Sequence, residues 1–236
     1  MIRFDIHTHT IASGHASHST IADMAKQAAH AGLTMLGITD HGPATMGSCK
    51  PSYFRSLAMA PKKRCGIDML YGVELNILDN NGSVDLPDDI LSGLDYAIAS
   101  MHTANKKPGT IDENTRAYIS AMKNPYVKLI GHCDDTKYPV DYDAMVRAAK
   151  EHDVLLEINN SSLSPDGYRG DTTWNNQSIL RYCRKYNHPI VLSSDSHGTA
   201  HVGDMQYAEA FVKQQDFPEE LILNSQPELF RRFIAR

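Results

Sequence analysis

Ile2-Arg3-Phe4-Asp5-Ile6-His7-Thr8-His9-Thr10 decides how the chain is read. An apolar run of strand length passes directly into a His-x-His pair, where an open nucleotide-binding sheet would place a glycine-rich turn. Neither G-x-G-x-x-G nor G-x-x-x-x-G-K-[ST] occurs in the sequence. Working outward, further apolar runs bounded by polar or turn residues lie at 35–38, 69–73, 96–99, 127–130, 154–158 and 190–192. Segments of helical spacing separate most of them. The clearest follows the first run: Thr20 with Asp23 makes a capping box, Ile21, Met24, Ala25 and Ala28 fall at i, i+3, i+4 and i+7, and Gly32 supplies a stop. Similar spacing predicts helices over 113–123, 141–152, 175–187 and 204–213. A last one starts after Ser225, with Pro227 in its first turn and Leu229, Phe230 and Phe233 on its buried face. Continuous apolar strands alternating with helices imply a parallel sheet covered by helices. No Pro/Gly/Ser-rich linker divides the chain, so the expectation is one α/β domain over residues 1–236.

The composition narrows the function classes. The 236 residues are 42% hydrophobic, enough for one substantial core, and 23 Lys+Arg against 28 Asp+Glu give a formal charge of −5. That balance argues against a chain built to coat nucleic acid or an anionic membrane. No apolar stretch approaches the roughly 20 residues of a membrane span, and the N-terminus has no signal-peptide run, so a cytoplasmic location is expected. Cys49, Cys65, Cys133 and Cys183 form no Cys-x-x-Cys pair, which fits reduced thiols. Histidine is the anomaly, with twelve copies.

Their distribution explains the number. His7 and His9 follow the first run, His41 the second, Glu74 ends the third, His102 follows the fourth, His132 the fifth, and Asp195 and His197 the seventh. In a parallel barrel the strand C-termini gather at one face, where the active sites of such barrels are built. Spacing of two keeps His7 with His9, and Asp195 with His197, on the same side of their strands. His15, in the loop after the first run, can fold over the same mouth. Seven His, one Glu and one Asp exceed the needs of one tetrahedral zinc and suit two or three ions. Imidazole with carboxylate fits Zn, Mn or Fe alike. A lone His after a strand is more often an ordinary hydrogen-bonded residue; ligand types after six of seven runs are not so easily ordinary. The remaining histidines read plainly: His30 and His152 near helix ends, His188 in a turn before Pro189, His18 and His201 in loops. Lys62-Lys63-Arg64 reads as a solvated patch, and Asp85, Asp88 and Asp89 as a loop and helix-start cluster.

Asp5-Ile6-His7-Thr8-His9, Ile38-Thr39-Asp40-His41-Gly42, Gly72-Val73-Glu74, Ser100-Met101-His102, Gly131-His132, Glu157-Ile158-Asn159-Asn160 and Ser194-Asp195-Ser196-His197 together resemble the PHP (polymerase and histidinol phosphatase) superfamily, nearest its YcdX-like metallophosphatase branch. The resemblance spans essentially the whole chain. It implies a distorted seven-stranded β/α (TIM-like) barrel with a trinuclear centre of divalent ions. His7, His9, Glu74 and Asp195 would hold one ion, Glu74, His102 and His132 the second, and His15, His41 and His197 the third. Glu74, Asp195 and His197 are then the expected catalytic residues. Many relatives place Pro after the fifth-strand His, whereas this chain continues His132-Cys133-Asp134-Asp135.

Three dications would add about six positive charges to a chain of formal charge −5, making a cationic mouth in an acidic scaffold. A small phosphate monoester is the expected guest, hydrolysed through metal-bound hydroxide. Ser13, Lys137, Asn159, Asn160 and Arg169 are the expected substrate contacts, although Asn159-Asn160-Ser161-Ser162 reads equally as a polar turn. Asp40 is expected to orient a ligand. Two competing readings are a nuclease or phosphodiesterase, which should show a basic track with interleaved aromatics, and a non-catalytic metal-binding domain, which should have a closed site. A homo-oligomer is compatible with the sequence.

Overall fold

A computed structural model describes residues 2–235. Seven parallel strands form a nearly closed barrel: β1 Phe4–Asp5, β2 Met35–Ile38, β3 Ile67–Asn76, β4 Tyr96–Ser100, β5 Val127–Ile130, β6 Leu155–Asn159 and β7 Ile190–Ser193. Each pairs with the next in chain order, as the runs of buried apolar residues predicted. β3 reaches three residues past its expected end because Glu74 and Asn76, though polar, are buried there. Helices α1 Ile21–His30, α4 Ile111–Ala121, α5 Tyr142–Glu151, α7 Thr173–Tyr186, α8 Gln206–Gln214 and α9 Pro227–Ile234 match the predicted segments to within a few residues. Two short helices are additional, α2 Pro51–Leu57 and α6 Asn160–Leu163, while the short α3 Asp88–Leu91 starts at the acidic cluster expected to begin a helix. They are too short for a 3.6-residue period to stand out. No helix among the described residues is long and apolar enough to cross a membrane.

The local signals explain the boundaries. α1 and α4 begin with capping boxes, Thr20 with Asp23 and Thr110 with Glu113. α7 ends on Asn187 in the left-handed conformation, φ 50°. Inside the barrel Phe4, Ile6, Tyr96, Ile98, Leu129 and Val191 meet Phe230 and Phe233 of α9, which closes the bottom. The Phe4 and Phe230 rings lie 4.8 Å apart. Tyr96 donates its hydroxyl to the Ile6 carbonyl, and Gly37 makes room for it: a Cβ there would lie 2.1 Å from Tyr96 Oη.

The barrel closes unusually between β7 and β1, whose main chains share no ladder. At the lower end the buried Asn224 side chain fills the gap, donating to Phe4 O (3.2 Å) and Leu192 O (2.8 Å) and accepting from Leu192 N (2.7 Å). In the middle, Asp5 accepts from Ser194 Oγ at 2.5 Å and Gly203 N at 3.0 Å. At the upper end the extension Ser196–His197 pairs in parallel with Thr8–His9, placing His197 opposite His9. The seam at the mouth is thus built from candidate ligands.

His188 corrects an expectation. It is not a surface turn residue: it is 3% exposed, and its Nε2–H donates to Val154 O at 2.9 Å. Burial holds its pKa down at about 4, so the fold favours the neutral ring. Above the unfolded value near 6.5 that preference contributes its full stability. As pH falls from there to about 4 the unfolded chain takes up a proton that the fold refuses, and up to about 3 kcal/mol is lost. Urea unfolding of metal-free protein should therefore lose about 2 kcal/mol more between pH 6.5 and 4.5 than His188→Gln does. Parallel acid limbs in the two proteins would contradict this.

Candidate metal centre

Every strand but β6 delivers a candidate ligand to the upper mouth, and β6 delivers their supports. Glu74 lies at the middle. Its Oε1 is 2.8 Å from His132 Nε2, 3.3 Å from His102 Nε2 and 3.5 Å from His7 Nε2; its Oε2 is 2.5 Å from His41 Nδ1 and 3.6 Å from His9 Nε2. Asp195 Oδ1 approaches His9 Nε2 at 3.2 Å and His7 Nε2 at 3.6 Å. Three overlapping groups keep their donor atoms within 4.8 Å of one another: His7, His9 and Asp195; His9, His41 and His197; His41, Glu74 and His102.

The chemistry of these atoms fits divalent cations. His7 Nε2, His9 Nε2, His41 Nδ1, His197 Nε2 and Glu74 Oε2 are buried without a hydrogen-bond partner among the described residues. Buried polar atoms are rarely left so, and nitrogen and oxygen lone pairs converging on one space are what a cation neutralises. Outer contacts fix the tautomers. His7 Nδ1 meets Glu157 Oε1 at 2.7 Å and His102 Nδ1 meets Asn76 Oδ1 at 2.8 Å. Donation there leaves each Nε2 lone pair facing inward. Behind His9, Ser13 Oγ donates to Asp40 Oδ1 at 2.7 Å and so accepts from His9 Nδ1 at 2.9 Å and from His41 N at 3.2 Å.

The electrostatics follow from burial and proximity. Burial pushes the Glu74 carboxyl up, but His41, His102 and His7 outweigh it and hold it well below the usual carboxylate range. Asp195 is likewise raised by burial and lowered further by His7 and Arg169. Burial holds His9, His132 and His197 below the ordinary imidazole value, so they offer neutral lone pairs. For His7 the carboxylates Glu157, Asp195 and Glu74 outweigh burial and raise it. A dication would take the place of that proton. His132 and Asp195 both adopt positive φ, 27° and 54°. Such strain persists only where neighbours hold it: His132 N donates to Glu157 Oε2 at 2.6 Å, and Arg169 Nη2 grips Asp195 Oδ2 at 2.8 Å.

The expected residues separate into several places. His7, His9, His41, Glu74, His102, His132, Asp195 and His197 converge. His15 is exposed and stacks outside them, its ring 4.9 Å from that of His41 and 5.0 Å from that of His197. Among the expected substrate contacts, Ser13 is buried behind His9 rather than at the mouth. Asn159 is buried too, capping α6 and donating to Glu157 and Asp195. Asn160 lies away from the cleft and accepts from Tyr207 N and Ala208 N at the start of α8. Lys137 and Arg169 do line the cleft, which has a volume of about 340 Å³ and opens onto His15, His102 and His197. Asp40 also binds Thr10 and Tyr53, tying down the loop after β1. Asp85 is more than a surface carboxylate: it accepts from Asn76 N and Nδ2, and Asn76 in turn orients His102. The supporting roles of Glu157 and Asn76 were not anticipated. Glu157 had a signal, being the one charge inside the apolar run 154–158.

Comparisons with known proteins bear on the family and the fold. The PHP domain model matches residues 5–161. A probable phosphatase of Clostridium novyi (strain NT) is 42% identical over 221 residues, covering 94% of this chain and 89% of the relative. A probable phosphatase of Caldicellulosiruptor saccharolyticus is 42% identical over 233 residues, covering 99% and 96%. Among solved structures, histidinol phosphate phosphatase from Lactococcus lactis, complexed with Zn, L-histidinol and phosphate, superposes with a TM-score of 0.61 over 92% of this chain and 94% of its own. At 17% identity that likeness speaks for the fold.

Proposed function

The chain belongs to the PHP domain family, and from that premise we propose that it is a metal-dependent phosphatase acting on small phosphate monoesters. The observation that carries the proposal is Glu74, one carboxylate within 3.6 Å of five histidines, three of which, His41, His102 and His132, line a cleft of small-molecule size. His7, His9 and Asp195 would hold one ion with Glu74, and His102 and His132 a second with the same carboxylate. His41 and His197 would hold a third, with His9 nearest them and His15 stacked above. Divalent ions held there would supply charge to hold phosphoryl oxygens, acidify water and stabilise the leaving oxygen. The chain's own residues do the rest. Glu157, Asn76 and Ser13 fix imidazole orientation, and Arg169 fixes Asp195.

The opening onto the cleft favours turnover over storage, since a purely structural site is closed. The nuclease reading separates from ours by substrate. Protein stripped with a chelator and reloaded singly with Mn, Zn or Fe should release phosphate from small monoesters faster than it trims end-labelled DNA. Bound metal should be measured alongside. The reverse ranking would sink the proposal.

A further inference from the structure

Arg169 is 2% exposed, and all four of its terminal N–H groups have acceptors. Nη1 donates to Asn159 Oδ1 (3.3 Å) and Ser162 Oγ (3.2 Å); Nη2 donates to Asp195 Oδ2 and to Tyr168 Oη, both at 2.8 Å. A guanidinium so committed has no terminal donor left for a substrate. What it offers instead is Tyr168. The phenol oxygen accepts from Arg169, so its own proton is uncommitted, and no acceptor for that proton lies among the described residues.

The placement of the hydroxyl is specific. Two hydrogen bonds of 2.8 Å in series link it to the Asp195 carboxylate, and Tyr168 lines the cleft together with His102, His132 and His197. The residue as a whole is 67% exposed, because the ring spans the rim while the hydroxyl turns inward to Arg169. The ring is held by cations, with the Arg169 guanidinium 4.7 Å and Lys137 Nζ 5.4 Å from its centroid, and Lys137 Nζ donates to Tyr168 O at 3.0 Å. Burial pushes the phenol pKa up to about 12 against the pull of Arg169, so the group is protonated at neutral pH.

Resting on the phosphatase reading, we propose that Tyr168 is a catalytic residue whose hydroxyl gives its proton to the ester oxygen that leaves. Water adds its oxygen to phosphorus and yields one proton to solvent. The bridging P–O bond breaks with its electron pair on the leaving oxygen, which takes the Tyr168 proton, and the phenolate is reprotonated from solvent. The sum is ester plus water to alcohol plus phosphate.

Tyr168→Phe keeps the ring and removes only the donor. Single-turnover rates of metal-loaded protein, measured on an alkyl phosphate and on 4-nitrophenyl phosphate, test the role, because an alkoxide needs a proton to leave and a nitrophenolate does not. The expected loss is about 100-fold on the alkyl ester and no more than about threefold on the nitrophenyl ester, with metal content and melting temperature unchanged. Equal losses on both esters, or none on the alkyl ester, overturn the assignment and leave the phosphatase reading standing. Failure of the native-sequence protein to hydrolyse either ester overturns both.

Discussion

Glu74→Gln is expected to lower turnover by about 1,000-fold or more, equivalent to roughly 4 kcal/mol of barrier. The carboxylate lies within 3.6 Å of five histidines, with Oε1 2.8 and 3.3 Å from His132 and His102 Nε2 and Oε2 2.5 Å from His41 Nδ1, so in the proposed arrangement it would serve two ions at once. Gln removes the negative charge and turns an acceptor into an N–H donor aimed at imidazole lone pairs. Metal content should fall with activity, while the melting temperature of metal-free protein reports that the barrel still folds. Activity within about threefold of the native sequence, with its metal retained, would refute the shared-carboxylate assignment.

Asp195→Ala should be the most destabilising substitution at the mouth, costing about 3–5 kcal/mol in metal-free protein. The reason lies in Arg169, whose guanidinium is buried and has Asp195 as its 2.8 Å charge partner. Removing the carboxylate leaves a buried cation whose direct acceptors, Asn159, Ser162 and Tyr168, are all neutral, with Asp134 as the remaining carboxylate near it. The double change Asp195→Ala with Arg169→Met should regain about 2 kcal/mol or more, since replacing both partners removes the uncompensated charge. Activity should stay lost in both. Urea unfolding decides the matter: if the double variant is no more stable than the single one, the cost does not come from the stranded guanidinium.

What could be read from the sequence was set by range. The seven barrel strands were legible because strands buried on both faces are continuous apolar runs, and the converging ligands because each sits just past one of those runs. The supports were illegible because their meaning depends on distant partners. Asn76 and Glu157 are ordinary polar residues until His102 and His7 lie against them, 26 and 150 residues away. The same holds for Asn224, whose side chain takes the place of a missing strand pairing yet sits in an unremarkable Leu223-Asn224-Ser225 turn. His188 was misplaced because a turn before proline is usually at the surface, whereas this one tucks under β6.

The parallel pairing of Thr8–His9 with Ser196–His197 carries a consequence for how the protein is made. A chain leaving the ribosome N-terminus first exposes His7 and His9 long before Asp195 and His197 exist, and domains fold as units while synthesis proceeds. Until the last strand arrives, β1 has a neighbour on one side only, and the contact that completes it spans nearly the whole length of the chain, the kind of closure that forms late. The group formed by His7, His9 and Asp195 is therefore complete only once the last strand is in place.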